Sequence, residues 1–252
     1  MKEIKLLHAA DLHLDSAFES LSPEAAEKRR QGQRELLFCI QEIAEKRGAS
    51  AVLLSGDVFE SNNIRSETQR DFNSALGALS CPVLIAPGNH DPYSAHSLWE
   101  TMRLPENVDV FKNAEIEPVS FLGVRALFWG VGFQNTFSKP LLRNFTPPEK
   151  NTEKPNIMII HGDVSAGAAD YNPISREDLI KSGMDYVALG HIHVRSPLQK
   201  AGETAFAYPG CTEGRGYDET GEKGVLLVTL SESGVSSEFI PLGGVRYEII
   251  NV

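Results

Sequence analysis

The stretch Ala51-Val-Leu-Leu-Ser-Gly-Asp-Val-Phe-Glu60 decides how the chain is expected to fold. Its four small or apolar residues, 51–54, are too few for a helix and are followed by a Ser-Gly pair, which predicts a short buried strand. Asp57 then lies just past the carboxyl end of that strand, the edge at which open α/β sheets bind ligands. Because an aspartate can bridge two metal ions with its two oxygens, the stretch predicts a metal site centred on Asp57.

Two stretches around this strand also combine a short apolar run with a polar cluster. The run from Ile4 leads to Asp11 and His13, and the run 83–86 leads to Asn89 and His90. Successive residues of an extended segment alternate in direction, so the Asp-x-His spacing places two potential ligands on one side. Helical periodicity separates the three runs. A β-α-β-α-β order with right-handed crossovers predicts all three polar clusters at one edge of a parallel sheet.

The second half of the chain repeats the pattern. The run 156–160 ends at His161, and the run 186–189 ends at His191 and His193. Strand patterns between 108 and 132 and at 205–208, 225–230, 235–240 and 245–252 predict a second sheet packed face to face on the first. The polar, proline-containing segment 135–154 is predicted as a loop. The prediction is an α/β sandwich of two sheets with helices outside.

Composition limits the class of protein. The 252 residues are 41% hydrophobic and can bury a full core, and the net charge of −10 argues against a globally basic nucleic-acid or membrane-binding protein. Three widely spaced cysteines, none in a CxxC pattern, favour a reducing compartment. The N-terminus lacks the pattern of a signal peptide, and no apolar run approaches the roughly 20 residues that span a bilayer. These features predict a soluble cytoplasmic protein that does not bind membranes.

The five predicted strand ends carry oxygen and imidazole donors and no cysteine. Such donors suit manganese, iron or zinc with five or six ligands better than a closed structural zinc site. Two ions roughly 3.5–4 Å apart would hold the attacking and the leaving oxygen of an in-line phosphoryl displacement. A histidine beside the metals would protonate the leaving group or stabilise the transition state.

These residues carry a resemblance to a known family. Asp11-x-His13, Gly56-Asp57, Gly88-Asn-His-Asp91, His161 and Gly190-His-x-His193 resemble, in order and approximate spacing, the five signature blocks of the calcineurin-like metallophosphoesterases. The resemblance covers residues 4 to 210, and each block alone is a weak signal. It implies a four-layer sandwich of two mixed β-sheets flanked by α-helices, with two divalent metal ions: Mn²⁺ above all, with Fe, Zn or Mg as alternatives.

Finer features are similar to the SbcD-type DNA-repair exonucleases, namely 8–15, 56–61, 185–193 and Tyr208-Pro-Gly210. The resemblance implies two ligand sets that share one aspartate, the first being Asp11, His13, Asp57 and His193 and the second Asp57, Asn89, His161 and His191. It further implies that His90 acts on the leaving group and that Asp91 orients the His90 ring. The implied partners are DNA, an SMC-like coiled-coil ATPase of the SbcC type, and a second copy of the chain.

The chain departs from the family pattern in two places. Many members have an aspartate, and some nuclease relatives a histidine, where this chain has Glu60, so the role of Glu60 stays open. SbcD-type proteins continue into a DNA-capping domain and an ATPase-docking segment. We expect residues 1–252 to form the nuclease core without those regions.

Alternatives remain for the function and for two side chains. A phosphodiesterase or phosphatase for small phosphorylated molecules would suit the acidic balance, and a metal-free interaction scaffold is the third reading, although this chain keeps every ligand. His8 either packs in the core or contacts substrate. Arg215, in a Gly-Arg-Gly turn, either meets a phosphate through its planar fork of donors or is solvated.

Overall fold

The protein forms two six-stranded sheets with helices outside them, as seen in a computed structural model that describes residues 3–147, 154–164 and 170–250. The helices are α1 (Pro23–Arg47), α2 (Ser66–Gly77), α3 (Leu98–Thr101) and α4 (Arg176–Lys181). The strands are β1 (Ile4–Ala9), β2 (Ala51–Leu54), β3 (Val83–Ile85), β4 (Val108–Val110), β5 (Glu117–Val119), β6 (Leu127–Gly130), β7 (Asn156–His161), β8 (Tyr186–Gly190), β9 (Gln199–Ala201), β10 (Thr204–Ala207), β11 (Gly224–Ser231) and β12 (Gly234–Pro241).

The first sheet has the order β12-β11-β1-β2-β3-β4. Strands β1 to β4 are parallel, and β11 adds to the free edge of β1 in antiparallel register, with Leu6 opposite Val228. The sequence placed the C-terminal strands in the second sheet, which is wrong for β11 and β12. The strand predicted over 245–252 is also wrong within the described residues, since Tyr247 makes only an isolated bridge to Thr220.

The second sheet has the order β5-β6-β7-β8-β10-β9. Its four central strands are parallel, and β5 and β9 run antiparallel at the two edges. A turn that contains Gly123, with φ 90°, joins β5 to β6. The loop predicted over 135–154 has no helix or strand up to residue 147, with one bridge from Ser138 to Tyr171. Residues 148–153 of that loop lie outside the described residues.

Three apolar clusters define four layers. The cluster between the sheets combines alternate residues of both, such as Leu6 and Leu53 from the first sheet with Phe128 and Ile157 from the second. A second cluster joins the outer face of the first sheet to α1 and α2, and a third joins the outer face of the second sheet to α4. Both sheets are therefore covered on both faces, as parallel sheets require. The predicted four-layer sandwich is confirmed.

Helix α1 begins and ends where its sequence predicts. The Ser22 side chain caps the first turn by accepting from the Ala25 N–H at 3.3 Å, and Pro23 follows at the first helical position. Gly48 ends the helix with a left-handed backbone at φ 63°. The helix covers the strands whose ends carry Asp11 and Asp57. Among the described residues, no helix is long and apolar enough to cross a bilayer.

A close approach between the two sheets depends on Gly190 at the end of β8. A Cβ on this residue would collide with the Ser55 carbonyl oxygen and lie 2.9 Å from Nδ1 of His161. We expect Gly190→Ala to destabilise the fold by about 1–3 kcal/mol through overpacking, measured by urea unfolding of the metal-free protein. The control is Gly32→Ala in α1, where nothing lies within 4 Å of the added Cβ and about 1 kcal/mol of stabilisation is expected. Equal urea midpoints for the two variants would contradict this account.

Candidate metal centre

Polar side chains from five strand ends meet at one edge shared by the two sheets. The ends of β1, β2 and β3 supply groups from the first sheet, and those of β7 and β8 supply groups from the second. The side chains brought together are Asp11, His13, Asp57, Asn89, His90, His161, His191 and His193. All eight were predicted from the sequence as one group.

Asp57 lies at the centre of the group and is 2% exposed. Its Oδ2 is 3.7 Å from Nε2 of His13 and 3.4 Å from Nε2 of His161. Its Oδ1 accepts from the backbone N–H of His90 at 2.9 Å. One carboxylate therefore faces histidines from both sheets, which is the position required of a bridging ligand.

His13 and His193 face each other with their Nε2 atoms 3.2 Å apart. Nδ1 of His13 lies 3.0 Å from Glu60 Oε2, and Nδ1 of His193 lies 2.7 Å from Glu219 Oε1. A carboxylate partner favours a proton on Nδ1 of an imidazole, which leaves Nε2 as the nitrogen that can bind a cation. Two lone pairs that point at each other repel, and a shared cation would relieve that repulsion.

A second convergence of acceptor atoms surrounds His161. Its Nδ1 donates to the Ser55 carbonyl oxygen at 2.9 Å, so Nε2 is the ring nitrogen that a cation could bind in place of a proton. That Nε2 faces Asn89 Oδ1 at 3.0 Å, and the same amide oxygen lies 3.2 Å from Nδ1 of His191. The Asp11 carboxylate approaches from the other side and accepts the His191 backbone N–H at 3.0 Å.

These donor sets fit divalent cations. Ligand atoms of Asp11, His13 and His193 lie within 4.8 Å of one another, and so do those of Asp11, Asp57 and His161. Buried carboxylates and opposed lone pairs both require compensating positive charge. Carboxylate, amide and imidazole donors suit manganese, iron or zinc. Cys211 is not a candidate metal ligand, because its thiol points to the His193 carbonyl oxygen and burial raises its pKa to about 12.

The pKa shifts show how tightly the charges are coupled. Burial alone would raise the pKa of Asp57, but the nearby imidazoles of His161 and His13 lower it well below its usual range. Burial alone would lower the pKa of His161, but the Asp57 carboxylate outweighs burial and raises it to about 9. The hydrogen bond to Glu60 is the main cause that raises the pKa of His90. The metal-free site therefore holds protons where cations would otherwise supply the charge.

Four residues of the centre have a left-handed backbone that non-glycine residues rarely adopt. The φ angles are 52° at Asp11, 44° at His13, 50° at Asp57 and 100° at His191. Each such residue costs about 1–3 kcal/mol and persists only where the surrounding structure enforces it. Here the N–H of Asp11 donates to the Gly56 carbonyl oxygen at 3.1 Å and that of His13 to the Asp57 carbonyl oxygen at 2.9 Å, which ties the β1 and β2 ends together.

A carboxylate–arginine network supports two of the histidines. Arg215 donates through Nη1 to Glu60 Oε2 and through Nη2 to Glu219 Oε1, both at 3.0 Å. Those two carboxylates are the partners of Nδ1 of His13 and His193. Its guanidinium pairs with two carboxylates and its side chain is 19% exposed, so Arg215 is not a solvated turn residue and links the partners of two candidate ligands. A contact between Arg215 and the substrate stays a prediction.

His90 stands at the open side of the centre with 39% of its side chain exposed. Its Nδ1 lies 3.3 Å from both the carbonyl oxygen and the Oε1 of Glu60. The expectation that Asp91 orients this ring is wrong, because the Asp91 carboxylate accepts backbone N–H groups of Val58, Phe59 and Gly88 at 2.8 to 3.1 Å. Asp91 holds the loops after β2 and β3 together, and Glu60 takes the orienting position.

His8 is fully buried between the sheets, away from any substrate. Its Nδ1 lies 2.9 Å from the Tyr186 hydroxyl and its Nε2 lies 3.1 Å from Ser55 Oγ. Burial lowers its pKa to about 3, so the ring is neutral. Of the two possibilities left open by the sequence, packing holds, and the possible substrate contact of His8 is wrong.

The fold and this edge define the class: an α/β sandwich with a centre of aspartate and histidine side chains that could hold divalent cations. Residues 4–195 match the calcineurin-like phosphoesterase family, and the chain belongs to that family of metal-dependent hydrolases. Members of this family bind two metal ions, and the cluster of candidate ligands in this chain fits that property.

Similar proteins agree with this assignment. The chain is 34% identical over 252 residues to the uncharacterized metallophosphoesterase YhaO of Bacillus subtilis, covering 95% of this chain and 60% of that protein. It is 24% identical to the DNA double-strand break repair protein Mre11 of Methanopyrus kandleri (94% and 56% covered) and to the SbcD component of the B. subtilis nuclease SbcCD (89% and 66%). A dimetal phosphatase from Danio rerio shares the fold with a TM-score of 0.58 at 13% identity, covering 96% and 97%. The chain spans about 60% of the length of the curated relatives it matches.

Proposed function

We propose that this chain is the catalytic part of a manganese-dependent DNA nuclease. The observation that carries the proposal is the convergence of two groups of acceptor atoms on the Asp57 carboxylate beside an accessible His90. Similarity to Mre11 and to the SbcD component of the nuclease SbcCD supports DNA as substrate. On the same basis we propose an SMC-like ATPase partner, a homodimer and a cytoplasmic location.

The proposal assigns one ion to Asp11, His13, Asp57 and His193 and the other to Asp57, Asn89, His161 and His191. The 3.2 Å between His13 and His193 and the 3.0 to 3.4 Å that separate His161 and His191 from their partners Asn89 and Asp57 support this division, and Asp11 lies near both sets. When bound, the two cations would neutralise phosphoryl oxygens and lower the pKa of the attacking water. The Asp57 carboxylate serves both sets.

We propose His90 as the catalytic side chain that acts beside the metal ions. With Nδ1 held by Glu60, its Nε2 is left for a substrate oxygen at the open side. The Glu60 carboxylate favours the protonated ring, so His90 can donate a proton to the leaving alkoxide. Glu60 is a positioning residue, since it also fixes the tautomer of His13.

A phosphodiesterase for small phosphorylated molecules is the second candidate, favoured by the net charge of −10, which repels a long polyanion. The test compares linear duplex DNA, single-stranded DNA and bis-4-nitrophenyl phosphate with Mn²⁺, Mg²⁺, Fe²⁺ and Zn²⁺ in turn. DNA cleavage with Mn²⁺ supports the first proposal. Hydrolysis of the model ester alone, with no DNA product with any metal, favours the second candidate function.

Glu60→Ala is expected to weaken Mn²⁺ binding by about 10- to 100-fold, because His13 Nδ1 and Arg215 Nη1 lose their shared partner. Calorimetric titration of the metal-free protein measures the change. The control is Glu222→Ala, which removes an exposed carboxylate paired with Arg246 and should leave Mn²⁺ affinity unchanged. Equal Mn²⁺ affinities for both variants would show that Glu60 does not support metal binding.

A further inference from the structure

A stack of aromatic rings runs from the metal centre to the protein surface. The Tyr171 ring packs on the His191 ring with centroids 5.1 Å apart and planes inclined by 36°. The Phe137 ring packs on Tyr171 at 5.6 Å and 31°. The outermost ring, Phe137, is 62% exposed. The stack therefore begins at a candidate metal ligand and ends in a free aromatic surface.

The backbone beneath this stack is fixed to the same centre. The Ser138 N–H donates to the Asp170 carbonyl oxygen at 2.8 Å, and the Asn172 N–H donates to the Ser138 carbonyl oxygen at 2.9 Å. Asn172 is fully buried and donates through Nδ2 to the His161 carbonyl oxygen at 2.7 Å. Both neighbours of Tyr171 are thereby tied, one of them directly to a candidate ligand. The position of Phe137 relative to the metals is consequently set by hydrogen bonds.

An exposed phenylalanine alone says little, since single apolar residues are common on surfaces. Here the exposed ring is the outer end of a stack. The inner end of that stack, His191, is a candidate ligand of the metal ions that would bind the reacting phosphate. A phosphodiester of a nucleic acid places a planar base on the sugar next to its phosphate. Bases stack on aromatic side chains whatever their sequence, since every base has a π-face.

We propose that Phe137 is a stacking surface for a nucleobase that flanks the scissile phosphate, so that the site prefers nucleotide diesters with an unpaired base. This inference rests on the proposed nuclease function, that is, hydrolysis of phosphodiester bonds, and specifies its substrate class. The preference for an unpaired base follows because a base within a duplex has both faces covered by its neighbours. Tyr171 holds Phe137 in place and is itself too close to His191 to be varied without disturbing the metal centre.

The test uses single-stranded oligonucleotides in which the residue next to the cleaved bond is either a normal nucleotide or abasic. The 5′ side and the 3′ side of the bond are varied in turn. Phe137→Ala is expected to lower kcat/KM for the base-bearing substrate by about 10-fold or more, the size of one lost base–aromatic stack. Cleavage of the abasic substrate should not change. Phe137→Leu, which keeps apolar packing, should behave as Phe137→Ala, whereas Phe137→Trp should retain the preference. The control is Leu122→Ala, an exposed apolar residue on the turn at the opposite end of β5 and β6.

A binding measurement separates this inference from the proposed function. Uncleavable phosphorothioate oligonucleotides with 2-aminopurine at the flanking position should show fluorescence quenching with the wild type and lose it with Phe137→Ala. If Phe137→Ala affects base-bearing and abasic substrates equally, or neither, the inference is overturned while the phosphodiesterase function stands. If the wild type cleaves no diester, the proposed function fails, and quenching that depends on Phe137 still decides whether the surface binds a base.

Discussion

Asp57→Asn is expected to remove measurable Mn²⁺ binding and to lower phosphodiesterase activity by roughly 10³-fold or more. The reason is that the Asp57 carboxylate faces both groups of histidines, at 3.7 Å from His13 and 3.4 Å from His161. Even one preorganised polar donor in an active site contributes about 10²–10³ in rate, and this change removes the charge that both cations would share in the proposed site. Asparagine keeps the shape and can still accept the His90 N–H, so the variant isolates the charge.

Thermal unfolding with and without Mn²⁺ tells loss of metal from loss of fold. A ligand at about 100 times its Kd stabilises the native state by about 2.7 kcal/mol, so the wild-type Tm should rise with Mn²⁺. The Asp57→Asn protein should unfold cooperatively but show no such rise. Glu177→Gln makes the same change in net charge on α4, where Glu177 pairs with Lys181, and should keep both the rise and the activity. If the Asp57→Asn protein still binds two Mn²⁺ ions with wild-type affinity, the proposed bridging role of Asp57 is wrong.

The candidate ligands could be grouped from the sequence because each lies at the last residue of a strand or a few residues beyond it. A short apolar run ending in a polar residue is a local pattern, and parallel strands bring their carboxyl ends to one edge whatever the distances along the chain. Asp11, Asp57 and His161 could therefore be expected together from the sequence alone. The ends of α1 are local in the same way, because Ser22 and Gly48 form them with their own side chain and backbone conformation.

The partners of those ligands could not be predicted, because they depend on packing between distant segments. Glu219 meets His193 across 26 residues, and Arg215 reaches Glu60 across 155. The only local signal was an arginine between glycines, which is equally compatible with a solvated turn. Glu219 carried no signal of its own, since a carboxylate in a polar turn is usually exposed. Asp91 was misassigned because adjacency to His90 in sequence does not fix which side chain meets the ring.

One open question and one error have the same cause. His8 stands within an apolar strand, and only the Tyr186 hydroxyl and Ser55 Oγ, from β8 and the end of β2, explain its burial. The strand patterns of β11 and β12 predicted strands correctly but not their sheet, because the open edge of β1 accepts an antiparallel strand as readily as the second sheet would. Periodicity defines a strand and its faces, and pairing is decided by which edge remains free.

His90→Gln is expected to keep both metal ions and to lower the rate of DNA cleavage by about 10²–10⁴-fold, the usual contribution of a general acid. The His90 ring lies at the open side with Nδ1 held by Glu60, whereas the converging Nε2 atoms of His13 and His161 point at Asp57. Metal content after dialysis, with the wild type and Asp57→Asn as references, tests the first part. Loss of one ion would make His90 a ligand instead, an assignment that its place near His13 and Asp57 allows.

The identity of the leaving group tests the second part. A proton donor matters when the leaving oxygen is a strongly basic alkoxide and matters little for 4-nitrophenolate, which leaves without protonation. His90→Gln should therefore lose far more rate on DNA than on bis-4-nitrophenyl phosphate. An equal loss on both substrates would mean that His90 stabilises charge on the phosphoryl group rather than donating a proton. Glu60→Gln should show the same bias towards DNA in weaker form, because it removes the charge that raises the pKa of His90 while leaving the ring in place.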